Sequence, residues 1–106
     1  MARVPRCSAS VERRTVSITK LAWELTAYIP MQRWKDIKHL LPSGYTKVRA
    51  NGYWEGVQED VIILTVFGTY APLNRLSLAL AHTLLDEGEQ AVLVKLDMVR
   101  AGIYSR

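Results

Sequence analysis

Residues 45–68 read YTKVRANGYWEGVQEDVIILTVFG, and the rest of the fold can be worked out from this stretch. The run 61–68 is β-branched and apolar on both faces, which is typical of a central strand. The run 45–50 alternates Thr, Val and Ala with Tyr, Lys and Arg, which indicates a neighbouring strand. Between them, Gly52 and Gly56 supply the permissive backbone for a bulge and a hairpin bend. The stretch therefore predicts an antiparallel hairpin.

Two elements precede the hairpin, one before Pro30 and one after it. Residues 15–29 fit both a helical and an alternating apolar spacing, and their Trp, Thr, Tyr and Ile content favours a strand that Pro30 closes. Residues 31–41, MQRWKDIKHLL, place Trp34, Ile37 and either Leu40 or Leu41 on one face at helical spacing. The sequence Pro-Ser-Gly that follows predicts the end of this helix.

The chain after the hairpin repeats the order of helix and strand. Residues 70–89 predict the longer helix, with Pro72 in its first turn and Gly88 at its C-terminal end. Its apolar stripe consists of Leu73, Leu76, Leu80 and Leu84, with Ala81 beside it. Residues 90–98, QAVLVKLDM, predict a fourth strand whose core face holds Val92, Val94, Leu96 and Met98. Residues 99–106 are interpreted as an extension of that strand or an exit tail.

The order of elements is strand, helix, strand, strand, helix, strand. Two such halves joined by a hairpin predict an α+β fold, a ferredoxin-like βαββαβ sandwich. Its four-stranded antiparallel sheet would carry two helices on one face. We expect one domain over residues 15–106, preceded by a basic N-terminal arm at residues 1–14.

Composition limits the class of protein. A chain of 106 residues with 49% hydrophobic content fits a single core. No apolar stretch approaches the roughly 20 residues needed to cross a bilayer, and the first 20 residues lack the apolar centre of a secretory signal. Cys7 is the single cysteine, so neither an internal disulfide nor a cysteine metal cluster is expected. These features predict a soluble, cytoplasmic protein without a membrane partner.

The formal charge of +4 is concentrated in the first 20 residues, where five basic groups face one acid. The rest of the chain holds nine basic and nine acidic groups, but a second cluster of basic residues lies between positions 31 and 50. Basic clusters attract phosphates, so nucleic-acid binding is an alternative function. The residues that would serve it are Arg3, Arg6, Arg13, Arg14, Arg33, Lys35, Lys38, Lys47 and Arg49.

The hairpin, the leucine-rich helix and EQAVLVKLD at residues 89–97 together resemble small uncharacterised proteins of phages and mobile elements. The resemblance covers roughly residues 20–98 and concerns size, element order and a compact ferredoxin-like pattern. The resemblance implies the biological setting of an accessory protein. The arginine-bearing arm at residues 1–14 lies outside the region of resemblance.

Residues suited to catalysis are scattered. His39 and His82 lie far apart on predicted helices and lack the ligand spacing of a zinc site. We interpret His39 as a helix-end residue and His82 as a surface or rim residue. Glu55 and Glu59 flank the hairpin, whose tip is expected to be exposed to solvent and therefore unsuited to acid–base catalysis. Glu59 is expected to hold the hairpin through hydrogen bonds to its own backbone or to Arg49 across the strands. No phosphate loop, nucleophile elbow or metalloprotease signature occurs. A non-enzymatic protein without cofactor or metal is predicted.

A sheet with helices on one face leaves its other face free for association. The candidate interface residues are Trp23, Tyr53 and Trp54, because Trp and Tyr commonly anchor interfaces; packing in the core or hairpin is the alternative. The sheet aromatics could also stack bases, but the aromatic RNA-recognition signature is missing. The leading hypothesis is a protein partner bound through the open sheet face or an edge strand, with a homodimer expected. A small enzyme with a pocket at the dimer interface ranks after nucleic-acid binding.

Overall fold

The computed structural model describes the backbone of residues 17–105 and the side chains of residues 22–104. The predicted arm at residues 1–14 and its arginines lie outside the described residues. The four strands are β1 (Ser17–Pro30), β2 (Thr46–Trp54), β3 (Val57–Gly68) and β4 (Val94–Ser105). The two α-helices are α1 (Trp34–Ile37) and α2 (Tyr70–Asp86).

The strands form one antiparallel sheet in the order β2-β3-β1-β4. The connection from β1 to β2 passes over β3, and the connection from β3 to β4 passes over β1. This topology confirms the predicted ferredoxin-like α+β fold.

One face of the sheet carries the core. Every second residue of β1 and β3 points to this face, as the period of a strand requires, and meets the leucine stripe of α2. Its buried residues are Leu25, Ala27, Ile29, Ile37, Ile62, Leu64, Val66, Leu73, Leu80 and Leu84. The helices therefore lie on one face, as predicted, and we call this the covered face.

The predicted helix at residues 31–41 is a composite. A 3₁₀ turn (Met31–Arg33), the single α-turn of α1 and a second 3₁₀ turn (Lys38–Leu40) follow each other. Pro30 precedes the segment, and Leu41, the residue before Pro42, is extended at φ −82° and ψ 146°. The segment is thus confined between prolines, and the fully buried Ile37 anchors it to the core.

The ends of two strands differ from the prediction. β3 begins at Val57 because its polar start pairs with β2, and β4 runs from Val94 to Ser105 because its end pairs with the start of β1. Gly52 pairs regularly with Glu59, so the predicted bulge is wrong at that position; a register shift occurs in β1 between Leu21 and Trp23 instead.

The predicted hairpin bend is confirmed. Glu55 and Gly56 have φ of 50° and 79°, which fits a two-residue turn with both central residues left-handed. Pairing between β1 and β3 extends only from Trp23–Gly68 to Pro30–Val61. Residues 51–60, here named the hairpin ribbon, therefore project beyond the end of β1.

Candidate interaction surface

The sheet face opposite the helices is named the open face. Residues paired across antiparallel strands share a face, so the strand register lists its side chains directly. One row runs Val48, Ile63, Tyr28, and the next runs Ala50, Val61, Pro30. Neither row contains a charge. Val48 keeps 54% of its surface exposed and Tyr28 keeps 37%.

The other half of the open face is polar. The next row holds Thr46, Thr65, Thr26 and Lys95, and beyond it lies a row in which the exposed Phe67 stands beside the acids Glu24 and Asp97. The Lys95 ammonium lies 3.5 Å from the Asp97 carboxylate. The open face is thus apolar towards the hairpin ribbon and polar towards its opposite end.

The hairpin ribbon continues the apolar half. Trp54 and Val57 pair across the ribbon on the side of the open face and are 60% and 68% exposed. Tyr53 points to the other side, where its hydroxyl donates to Gln58 Oε1 at 3.3 Å. Trp23 belongs to the covered face and packs edge-on against Tyr70, with ring centroids 4.9 Å apart. Of the three predicted interface residues, only Trp54 lies on the open face.

Sequence reasoning missed Tyr28, Val48 and Ile63. Counting in steps of two from Trp54 leads to Val48, and the two-residue turn then fixes which residues of β3 share that side. The register between β1 and β3 places Tyr28 beside Ile63 on the open face. The two residues are 35 positions apart in the sequence, so no local pattern predicts this contact.

A cleft of about 670 Å³ lies where the open face meets the hairpin ribbon. Three separate segments form its walls: the end of β1, the hairpin ribbon and the segment 88–93 before β4. The Tyr28 N–H donates to the Leu93 carbonyl at 3.1 Å, which fixes that segment beside β1. The principal lining side chains are Tyr28, Pro30, Trp54, Glu59, Val61 and Leu93.

An ion pair holds the start of the segment 88–93. Arg33 Nε donates to Glu89 Oε2 at 3.1 Å, and both side chains are partly buried. Gly88, at φ 103°, ends α2 as predicted, and its N–H donates to the Leu85 carbonyl. Arg33, which the sequence assigned to a nucleic-acid site, therefore has an internal partner 56 residues away.

The other described residues of the predicted nucleic-acid site lie on the helical side of the molecule. Lys47 Nζ lies 4.6 Å from the centre of a Trp34 ring, and Arg49 donates to Met31 Sδ at 3.5 Å. Lys35 and Lys38 are exposed on the composite helix. The structure thus gathers Lys35, Lys38, Lys47 and Arg49 opposite the open face, whereas Arg3, Arg6, Arg13 and Arg14 lie outside the described residues.

The cross-strand contact expected between Glu59 and Arg49 is not formed. Glu59 is paired with Gly52 on the open-face side, while Arg49 projects from the covered face. His39 and His82 are both exposed, and the exposure of His82 agrees with its interpretation from the sequence. Within the described residues, no three His, Cys, Asp or Glu side chains lie close enough together to hold a metal ion. In the same part of the chain, no helix has the length and apolar character required to cross a membrane.

Comparison with known proteins does not assign the chain to a family. No protein-family model and no curated protein matches the chain. Four chains of solved structures match it, among them CutA from Synechococcus elongatus PCC7942. That structure is 13% identical, with a TM-score of 0.49, and the match covers 89% of this chain and 88% of that chain. A likeness at this identity says nothing about function.

Proposed function

We propose that this protein works by binding another protein chain through the apolar half of its open face, and that a second copy of itself is one such partner. The observation that carries the proposal is the uncharged row Val48, Ile63, Tyr28, which Trp54 and Val57 prolong along the hairpin ribbon. Val61 and Pro30 lie between these exposed side chains and are themselves buried, and a cluster of exposed apolar side chains on one face marks an interaction site on a protein. Within residues 22–104, no helix packs on this face.

The size of the face suits a specific interface. Four strands spaced roughly 4.8 Å apart and eight residues long, at roughly 3.4 Å each, give a face of about 500 Å². The hairpin ribbon adds roughly 160 Å² by the same spacings. The whole open face and the ribbon together approach the roughly 800 Å² per partner of a standard protein interface, and the apolar half with the ribbon supplies roughly 400 Å² of that area.

The pattern of charge also suits a symmetric pair. In a two-fold dimer the same patch meets itself, so a patch with a net charge would repel its copy. The rows through Val48 and Ala50 carry no charge. At the polar end Lys95 pairs with Asp97, which leaves the single negative charge of Glu24. The two uncharged rows can therefore face their copies without burying a charge, whereas Glu59 of the hairpin ribbon has to keep its contact with water.

The biological setting follows from the resemblance of the sequence to small proteins of phages and mobile elements. We propose a non-enzymatic accessory protein of a phage or mobile element that works in the cytoplasm. We propose binding as the function because the exposed apolar surface needs a partner. The described side chains of the open face and the cleft include no acid–base pair and no nucleophile with an activating base.

A matched pair of substitutions tests the interface. Val48 on the open face and Leu78 on the outer side of α2 are 54% and 52% exposed. We expect the wild-type chain to sediment at twice its 12.0 kDa mass. Val48→Lys should give the monomer because it buries a charge at the interface, whereas Leu78→Lys should remain a dimer. A wild-type protein that is monomeric at every concentration, or a Val48→Lys variant as dimeric as Leu78→Lys, contradicts the proposal.

Nucleic-acid binding is the second candidate. The grouping of Lys35, Lys38, Lys47 and Arg49 on the helical side favours it, since such a cluster could contact several phosphates at once. Mixed-sequence DNA and RNA should then be retained at low salt and released steeply as salt rises. Alanine at Arg3, Arg6, Arg13 and Arg14 tests the contribution of the arm separately. Absence of retention at low salt contradicts this candidate.

A further inference from the structure

The sheet contains a gap where β1 ends. β1 stops at Pro30, opposite Val61, whereas β3 begins four residues earlier at Val57. Residues 57–60 therefore pair with β2 on one side, and no strand among the described residues pairs with them on the other. Pro30 cannot donate a backbone hydrogen bond, and the chain turns into the 3₁₀ segment on the covered face.

The gap has the width of one strand. β1 lies between β3 and β4 in the sheet. A strand that continued β1 in the same direction beyond Pro30 would therefore lie between residues 57–60 and the segment 88–93. The cleft of about 670 Å³ occupies this position. A single extended strand needs roughly 4.8 Å on each side, while a hairpin needs twice that spacing. The gap thus suits one linear segment.

The lining of the gap has a definite chemistry. Among the residues that line the cleft are the two carboxylates Glu59 and Glu89, and there is no Lys or Arg. Glu89 is already paired with Arg33. Glu59 is half-buried, faces Gly52, which has no side chain, and forms no ion pair within the described part of the chain. Apart from Gln90 and two glycines, the remaining walls are apolar and aromatic.

We infer that this gap binds an extended segment of a partner protein as an added strand along residues 57–60. The segment carries a Lys or Arg opposite Glu59 and, two residues away on the same side, an apolar side chain opposite Val57. Main-chain hydrogen bonds to the free edge supply affinity, and the alternate side chains supply selectivity. The inference deepens the proposed function and rests on it, since it places a partner segment at the apolar end of the open face.

Selection from a random peptide library tests the inference. Decapeptides displayed on phage are selected on the full chain, and the synthetic peptides are titrated against wild type, Glu59→Lys and Glu87→Lys. Glu87 is exposed at the end of α2 and does not line the cleft, so it is a control of equal charge change. Selected peptides should carry a basic residue two positions from an apolar one. Glu59→Lys should weaken them about tenfold, since it replaces attraction by repulsion across the strands.

Hydrogen exchange locates the bound peptide. In an edge strand, alternate backbone amides point away from the neighbouring strand, so part of the amides at residues 57–60 should exchange more slowly once the peptide binds. Selection that yields no peptide above background, or peptides bound equally by Glu59→Lys and Glu87→Lys, overturns the inference.

Sedimentation and peptide binding, measured on the same variants, distinguish a failure of this inference from a failure of the proposed function. If sedimentation shows the dimer broken by Val48→Lys while no peptide binds the gap, only the inference fails. If peptides bind and Val48→Lys leaves the assembly unchanged, only the proposed face fails. If Glu59→Lys by itself dissociates a dimer without peptide, a second copy occupies the gap and the partner segment is wrong.

Discussion

Replacing Trp54 by Ala should weaken the dimer strongly. Trp54 is 60% exposed in the single chain. Since an aromatic side chain buries roughly 150–250 Å², covering this exposed part removes roughly 90–150 Å² from water. At roughly 25 cal/mol per Å², that is about 2–4 kcal/mol for each Trp54. A two-fold dimer contains two copies, so even the lower figure raises the dissociation constant by roughly 1000-fold.

Sedimentation equilibrium over a range of protein concentrations measures this change. Leu78→Ala is the control, because Leu78 is similarly exposed but lies on α2 away from the sheet. Thermal unfolding of both variants should match wild type under conditions where all three are monomeric, since Trp54 lies outside the core. Equal dissociation constants for Trp54→Ala and wild type would refute the placement of Trp54 in the interface.

Three further predictions concern the fold that holds this surface. Leu80→Ala, at a fully buried position, should lower the free energy of unfolding by about 2–5 kcal/mol in urea titration, and a loss under about 1 kcal/mol would contradict its place in the core. Gly56→Ala should cost about 1–2 kcal/mol in the same titration because φ is 79° at this turn; an unchanged midpoint would argue against a left-handed turn. Lys47→Met should cost about 0.5–1 kcal/mol through the loss of the contact with the Trp34 ring, whereas Lys47→Arg should keep most of it, and equal losses in both variants would exclude that contact.

Local patterns were sufficient to predict the elements and their order. The alternation at residues 45–50, the β-branched run 61–68 and the leucine stripe of α2 each show their period within a single segment. For residues 15–29, where two periods compete, the composition favoured the strand that the structure contains. The two-residue turn at Glu55 and Gly56 then sets the register of the hairpin.

Features that depend on contacts between distant segments were not predictable in this way. The partner of Arg33 is Glu89, and only the completed fold brings the two together. Trp23 and Trp54 look equivalent in the sequence, but the sheet register puts them on opposite faces. The gap beside residues 57–60 results from the stagger between β1 and β3, since β3 extends four residues past the end of β1, and no single segment reveals this stagger.

Solvent accessibility of methyl groups in the unmodified protein gives the most direct test of the open face as an interface. A soluble paramagnetic agent enhances the NMR relaxation of methyls that it can approach. As the protein concentration rises, we expect the enhancement at Val48 and Val57 to fall towards that of the buried Leu64, while Leu78 and Leu85 stay unchanged. If Val48 and Val57 remain as accessible as Leu78 at every concentration, the open face does not bind a second copy.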